Sequence, residues 1–344
     1  MLSHTVPQRL LRQFAYEHVA TKSLRLWKYE KGRPPFGKAS PRTATTYEKF
    51  FADPENTEEE LRIETTLARE VENPVNAFLD QLSGPSSTLS ENQQRHMTRY
   101  VTLLFSRSAA RREGSKHTQE ILARAFSNFI ADQVRVMTVA AHWSMERYFA
   151  GRPRLITASE VIKAAKRFVA YTQTDEAAQK SFVAHVRNSC NYFDNYLFEG
   201  QWNLISTTQY KPFIISDAPV TTWIRDEHGV VQYGAGIARP DVEVLLPLSP
   251  MTCLHILPKV QRTRATVTPH VDEVNRVQAA FAYRACYTNQ KSCAIDELVQ
   301  KHISTARIGK EVFTVWHMQY DDFFYQILMD QGRAALDLIS KSHP

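Results

Sequence analysis

Glycine is scarce in this chain, at eleven of 344 residues, which argues against an extended Gly-rich phosphate-binding or linker protein. No apolar run approaches the ~18 residues needed to span a bilayer. The four cysteines, Cys190, Cys253, Cys286 and Cys293, show no C-x-x-C spacing. Burial as small hydrophobes in a reducing compartment is their default reading. G-x-S-x-G and H-E-x-x-H are also absent. "GAGIAR", Gly234 to Arg239, begins like a dinucleotide loop but has arginine where the third glycine should stand. "EGSKHT" lacks the spaced first glycine of a phosphate loop. These gaps count against the common nucleotide-binding, hydrolase and metalloprotease motifs. Acidic excess is missing too: the net charge is +6, which permits an acidic partner such as nucleic acid without requiring one.

The N-terminal "MLSHTVPQRLLRQFA" has Arg9 and Arg12 and no acid before Glu17, yet Pro7 interrupts it and it has no signal-peptide apolar region. We read it as folded protein and expect a cytoplasmic location with no membrane partner. Hydrophobic residues at 43% and charged residues at 23% describe an ordinary globular chain.

The pattern predicts α+β architecture. A helical first half packs on a mostly antiparallel sheet contributed mainly by the second half. We expect one large domain over 1–344, with a helical subregion at about 57–200 and a sheet-rich one at about 201–290. Pro7 suits the first turn of a short helix carrying Leu10, Leu11 and Phe14. Ser23 to Glu30 reads as a strand. A capping box, Thr57 with Glu60, opens a helix to about Leu82. Ser90–Arg112 and His117–Tyr148 follow as helices. Another runs from Ser159 to about Phe198, interrupted near Thr172 to Asp175. After Gly200 come short strands: "QWNLIST", "PFIIS", "TTWIR", "VVQYG", "VEVLLPL" and "TCLHIL". "DEHG" is a plausible hairpin turn among them. Helices at His270–Tyr283 and about Tyr320–Ser340 close the chain.

Several polar residues fall where polarity is costly. At about 100° per residue, Leu61, Ala68, Val71, Val75, Phe78 and Leu82 form one stripe, and Glu64 lies near its centre. A carboxylate there must be paired or protonated. It is either a buried partner of an arginine or a base, acid or metal ligand. Arg107 and Arg111, four apart near the end of their helix, either pair locally or clamp a phosphate or carboxylate. His4 precedes the first helix, whose dipole disfavours a protonated ring. Cys253 and His255 share a strand face as two metal ligands might, but no second pair stands at ligand spacing. "FIISDAPV" delivers Asp217 at the end of a buried strand before Pro219 stops it.

"HTVPQRLLRQFA", "LWKYEKG", "IETTLARE", "LLFSRSAARR", "QWNLI", "FIISDAPV", "LLPLSP" and "VNRVQAAFAYRACYTN" occur in that order. Together they resemble the uncharacterised family called domain of unknown function 4238, from His4 to about Asn289. The resemblance singles out His4, Pro7, Glu64, Arg107, Ser216, Asp217, Pro219, Pro247, Ser249, Pro250 and Asn275. The chain departs from that pattern at Ala218, often polar in the family, and at Ser108-Ala109-Ala110, which lacks a proline. The family carries no established activity, so the resemblance implies a residue list and no mechanism.

Three functional readings follow. In the first, His4, Glu64, Arg107, Asp217 and Asn275 converge as a catalytic set. A divalent cation held by carboxylates and histidine would support hydrolysis of a phosphodiester or other anionic substrate. Glu64 or His4 would be the base, Asp217 a ligand and Asn275 a substrate-orienting donor. In the second, the same residues form a structural network in a binding or scaffold protein: Asp217 caps a turn, Glu64 pairs with Arg107, and Asn275 bonds backbone. In the third, Arg99, Arg107, Arg111, Arg112 and Lys116, with Lys259, Arg262 and Arg264, bind nucleic acid without catalysis. The ligand is thus a small molecule or a nucleic acid.

Overall fold

The computed structural model describes residues 2–48, 50, 57–83, 88–109, 112, 124–172, 174–192, 197–225, 231–233, 237, 242–257 and 268–306. The chain divides into two compact units, Met1–Arg112 with Phe182–Ile308, and Glu113–Ser181 with Gly309–Pro344. The fold is α+β, with antiparallel sheets and helices concentrated in the first half of the chain.

The first unit opens with β1 (Leu2–His4), paired antiparallel to β5 (Thr46–Glu48). As the sequence predicts, Pro7 precedes α1 (Gln8–Gln13), which buries Leu10 and Leu11. One sheet runs in the order β2 (Tyr16–Glu17), β3 (Leu24–Glu30), β12 (Ala285–Thr288), β7 (Ile215–Ser216), with β4 (Phe36–Ala39) also paired to β3. The pattern therefore assigned too few strands to the N-terminal segment, because these short strands carry little alternation of their own.

The second sheet runs in the order β6 (Gln201–Ser206), β11 (Thr252–Leu257), β10 (Glu243–Ser249), β8 (Thr221–Arg225), β9 (Val231–Tyr233). Every residue of β10 and β11 is buried, because both faces are covered. Val244, Leu246, Leu254 and Ile256 join the main core with Leu10 and Leu104. Leu245 and Cys253 face Val274, Val277 and Phe281 of α9 (Val271–Phe281). Pro247 is tolerated inside this strand because the register shifts between Pro247 and Ser249.

The helix expected to run unbroken to Leu82 is broken. It comprises α2 (Thr57–Leu67), a π-turn (Ala68–Glu72), α3 (Asn73–Asn76) and a 3-10 turn (Leu79–Ser83). Pro74 has no N–H to give and crowds the preceding turn, so the ladder widens and Asn73 N–H bonds the Ala68 carbonyl. The extra residue rotates the buried face. Leu61, expected on the stripe, is 57% exposed, while Ile63 and Leu67 join Val71 and Val75 in the core. α4 (Glu91–Ser106) starts on a Ser90–Gln93 capping box and buries Met97, Tyr100, Val101, Leu104 and Phe105 as expected. At the edge of this unit the Arg112 guanidinium stands 5.2 Å over the Phe50 ring, and Phe182 meets the same ring edge-on at 5.3 Å.

In the second unit, helix α5 spans residues 124–131, followed by α6 (Gln133–Phe149) and α7 (Ala158–Thr172). α8 (Asp175–Tyr192) begins in this unit and crosses into the first at Phe182. The single helix expected over His117–Tyr148 is divided at Asp132, whose carboxylate accepts the Arg135 N–H at 3.1 Å and caps α6. Phe129, Val136, Val139, Trp143, Val161 and Ala165 form its core.

The helix expected at Tyr320–Ser340, the "DEHG" turn and the "GAGIAR" loop lie outside the described residues. Among the described residues no helix is long and apolar enough to cross a membrane. Cys253 and Cys286 are buried as expected, but Cys293, at the start of α10 (Cys293–His302), is exposed.

Candidate functional site

Arg107 ends α4 and is 1% exposed. Its Nε donates to the Thr5 carbonyl at 3.1 Å and its Nη1 to Glu72 Oε1 at 2.6 Å. Burial alone would lower the guanidinium pKa, but the charges of Glu72 and Glu64 outweigh it and hold the pKa above its ordinary value. Arg107 Nη2 is buried with no hydrogen-bond partner, and so is the hydroxyl of the fully buried Tyr100. Burial raises the Tyr100 phenol pKa first, and the Glu72 charge adds to it. Seven residues apart, Tyr100 and Arg107 share one face of α4. Glu64 therefore belongs to this cluster, but the carboxylate bonded to Arg107 is Glu72. An unbroken helix carries Glu72 about 100° away from Val71, and the π-turn changes that.

His4 adjoins Thr5, whose carbonyl holds Arg107. The His4 ring bonds the Arg42 carbonyl through Nε2 at 2.8 Å, so that nitrogen is the donor.

Asp217 is 1% exposed and spends its carboxylate on the main chain. Oδ1 accepts the Tyr283 N–H at 2.7 Å, and Oδ2 accepts those of Arg284 at 2.7 Å and Ala285 at 3.3 Å. Burial pushes its pKa up to about 6 against the pull of those three amides and of Arg284. Its charge in turn helps burial push the Tyr47 phenol up to about 12.

Asn275 likewise bonds main chain. Its Oδ1 accepts the Ile214 N–H and its Nδ2 donates to the Pro212 carbonyl, both at 2.9 Å. One turn on, Gln278 Oε1 accepts the Ser216 N–H and hydroxyl at 3.0 Å, while its Nε2 donates to the Pro219 carbonyl at 2.7 Å. Together α9 reads the backbone of "FIISDAPV" through two amides. Asp217 and Asn275 thus take main-chain partners, whereas Arg107, Glu64 and the neighbourhood of His4 meet elsewhere.

A second buried charge cluster lies beneath α9. Glu243 Oε2 accepts from Trp223 Nε1 at 2.7 Å and contacts His255 Nε2 at 2.9 Å. Burial would raise the Glu243 pKa, but these bonds and the charges of His255 and Arg225 lower it. His255 is therefore engaged with a carboxylate rather than with Cys253, whose thiol bonds the Leu254 carbonyl. Among the described residues, no three His, Cys, Asp or Glu side chains are grouped as metal ligands.

A cavity of about 430 Å³ opens where α2, the π-turn, α4 and α8 meet. Ile63, Leu67 and Val71 give it an apolar floor, and Arg62, Arg99 and Arg187 with Thr66 and Glu70 complete the lining. The lining residues carry three guanidiniums against one carboxylate, and that carboxylate is bonded to Arg69 at 2.8 Å.

Sequence reasoning missed Glu72, Gln278, Glu243 and the arginine-lined cavity. Gln278 could have been found, since it stands three after Asn275 on the same apolar helix face. Arg111, Lys116, Lys259, Arg262 and Arg264 lie outside the described residues. A family model described as "Protein of unknown function (DUF4238)" matches residues 3–292. No curated protein and no solved structure matches the chain.

Proposed function

The chain belongs to the DUF4238 family, and from that premise we propose that it is a binding protein for a small organic anion, seated in the arginine-lined cavity. The observation that carries this reading is the cavity lining itself: three arginines, Arg62, Arg99 and Arg187, beside the apolar Ile63, Leu67 and Val71. Guanidiniums take phosphates and carboxylates through planar, bidentate bonds. The apolar floor suits a ligand with a hydrocarbon part, and the volume is that of a small-molecule site. In this reading His4, Glu64, Arg107, Asp217 and Asn275 are architecture, which fits the main-chain partners of Asp217 and Asn275. Calorimetric titration with n-octyl phosphate, octanoate and inorganic phosphate is the test. Octyl phosphate should bind tightest, and Arg62→Ala with Arg187→Ala should weaken it. No heat at low salt with any of the three would sink the proposal.

The metal-assisted hydrolase reading keeps one support, the placement of Glu64 within electrostatic reach of Arg107. It requires divalent-metal-dependent turnover of bis(p-nitrophenyl) phosphate that Glu64→Gln abolishes while the fold survives. Turnover unchanged in that variant, or none at all, leaves the binding reading in place. A salt-dependent affinity for DNA or RNA, undisturbed by the cavity substitutions, would instead favour nucleic-acid binding.

A further inference from the structure

Helix α6 is apolar on two opposite faces. Val136, Val139, Ala140 and Trp143 are buried in the core of the second unit. About 180° away on the helical wheel stand Val134, Met137, Ala141, Met145 and Tyr148. All five are exposed, the large ones at 58–76%. Phe149, beside them, is 78% exposed. A surface helix ordinarily turns charge to water on that side, so a second apolar stripe marks a contact surface. The Thr138 hydroxyl, beside the stripe, is bonded to the Val134 carbonyl at 2.9 Å.

The spacing of the stripe identifies its occupant. Steps of three, four, four and three residues read the same in both directions about Ala141. A second α6 laid antiparallel therefore sets Val134 against Tyr148, Met137 against Met145, and Ala141 against its own copy, where the small side chain lets the two helices approach. This self-complementarity is what a two-fold interface requires. The stripe offers on the order of 600 Å² of apolar surface per copy, close to the share each partner gives a standard interface. We propose that the protein forms an antiparallel two-fold dimer through the exposed face of α6.

Sedimentation equilibrium of the full chain across micromolar concentrations should show a monomer–dimer equilibrium. Met137→Glu or Met145→Glu should weaken it by roughly tenfold or more, with the thermal melt of the monomer unchanged because both side chains already face water. In a Cys293→Ser background, Ala141→Cys should cross-link two chains under mild oxidation whereas Val134→Cys should not, which reads the antiparallel register directly. A monomer at all concentrations, or a dimer indifferent to Met137→Glu, overturns the proposal. So does a monomer that docks α6 on lipid vesicles, or one whose α6 amides are protected only while residues 309–344 are present.

Discussion

Arg107 and Asp217 are equally buried, at 1% exposure each, yet the charges are held in different ways. Asp217 is answered by three main-chain N–H groups, and its neighbours Asn275 and Gln278 bond mainly to main chain, Gln278 adding the hydroxyls of Ser216 and Thr221. Arg107 is answered by a side chain, Glu72, by one carbonyl, and by the nearby charge of Glu64, with one nitrogen left over. The first arrangement fixes the path of a strand. The second fixes the packing of helices against one another and against the N-terminal ribbon. A network built between side chains can be replaced in pairs, because both partners are encoded. A network built onto backbone cannot, because its partner is the chain itself.

The largest test of that contrast is Arg107→Met. It strands Glu72 and Glu64 and should cost about 3–5 kcal/mol in urea unfolding. Adding Glu72→Leu should recover part of the loss, roughly 1–3 kcal/mol, and an undiminished deficit in the double variant would break the comparison. Gln278→Ala should cost about 2–3 kcal/mol through the unpaired Ser216 amide and Pro219 carbonyl, with no second-site side chain restoring it. Asp217→Asn should cost about 1–3 kcal/mol, since one oxygen facing amide donors becomes a donor itself.

The last test is a dependence on pH. The Asp217 carboxyl titrates at about 6 when folded and near ~3.9 when unfolded. Between those values the folded chain holds the proton more tightly, so stability falls as pH rises from about 4 to about 6 and then levels off. Melting across that range should show this component in the native protein and lose it in Asp217→Asn. A component that survives the substitution belongs to another group.

The sequence made Glu64, Arg107, Asp217 and Asn275 conspicuous because each is polar among apolar neighbours. It did not reveal their partners, which lie far along the chain: Asp217 bonds residues 283–285, and Asn275 bonds 212 and 214. Glu72 was hidden for a different reason. Periodicity assumes a uniform turn, and Pro74 changes the turn just where Glu72 stands. The same shift explains why Leu61 reads as core and lies in water. The short apolar runs read as strands survived translation into structure, since β10 and β11 are covered on both faces, while the two- and three-residue N-terminal strands were too short to show a period.

Phe50 touches both Arg112, the last residue before the chain leaves the first unit, and Phe182, the first after its return. Seen from that unit, residues 113–181 begin and end at one doorway. A short flexible linker across it would close the gap at little entropic cost, because joining neighbouring ends depends only weakly on what lies between.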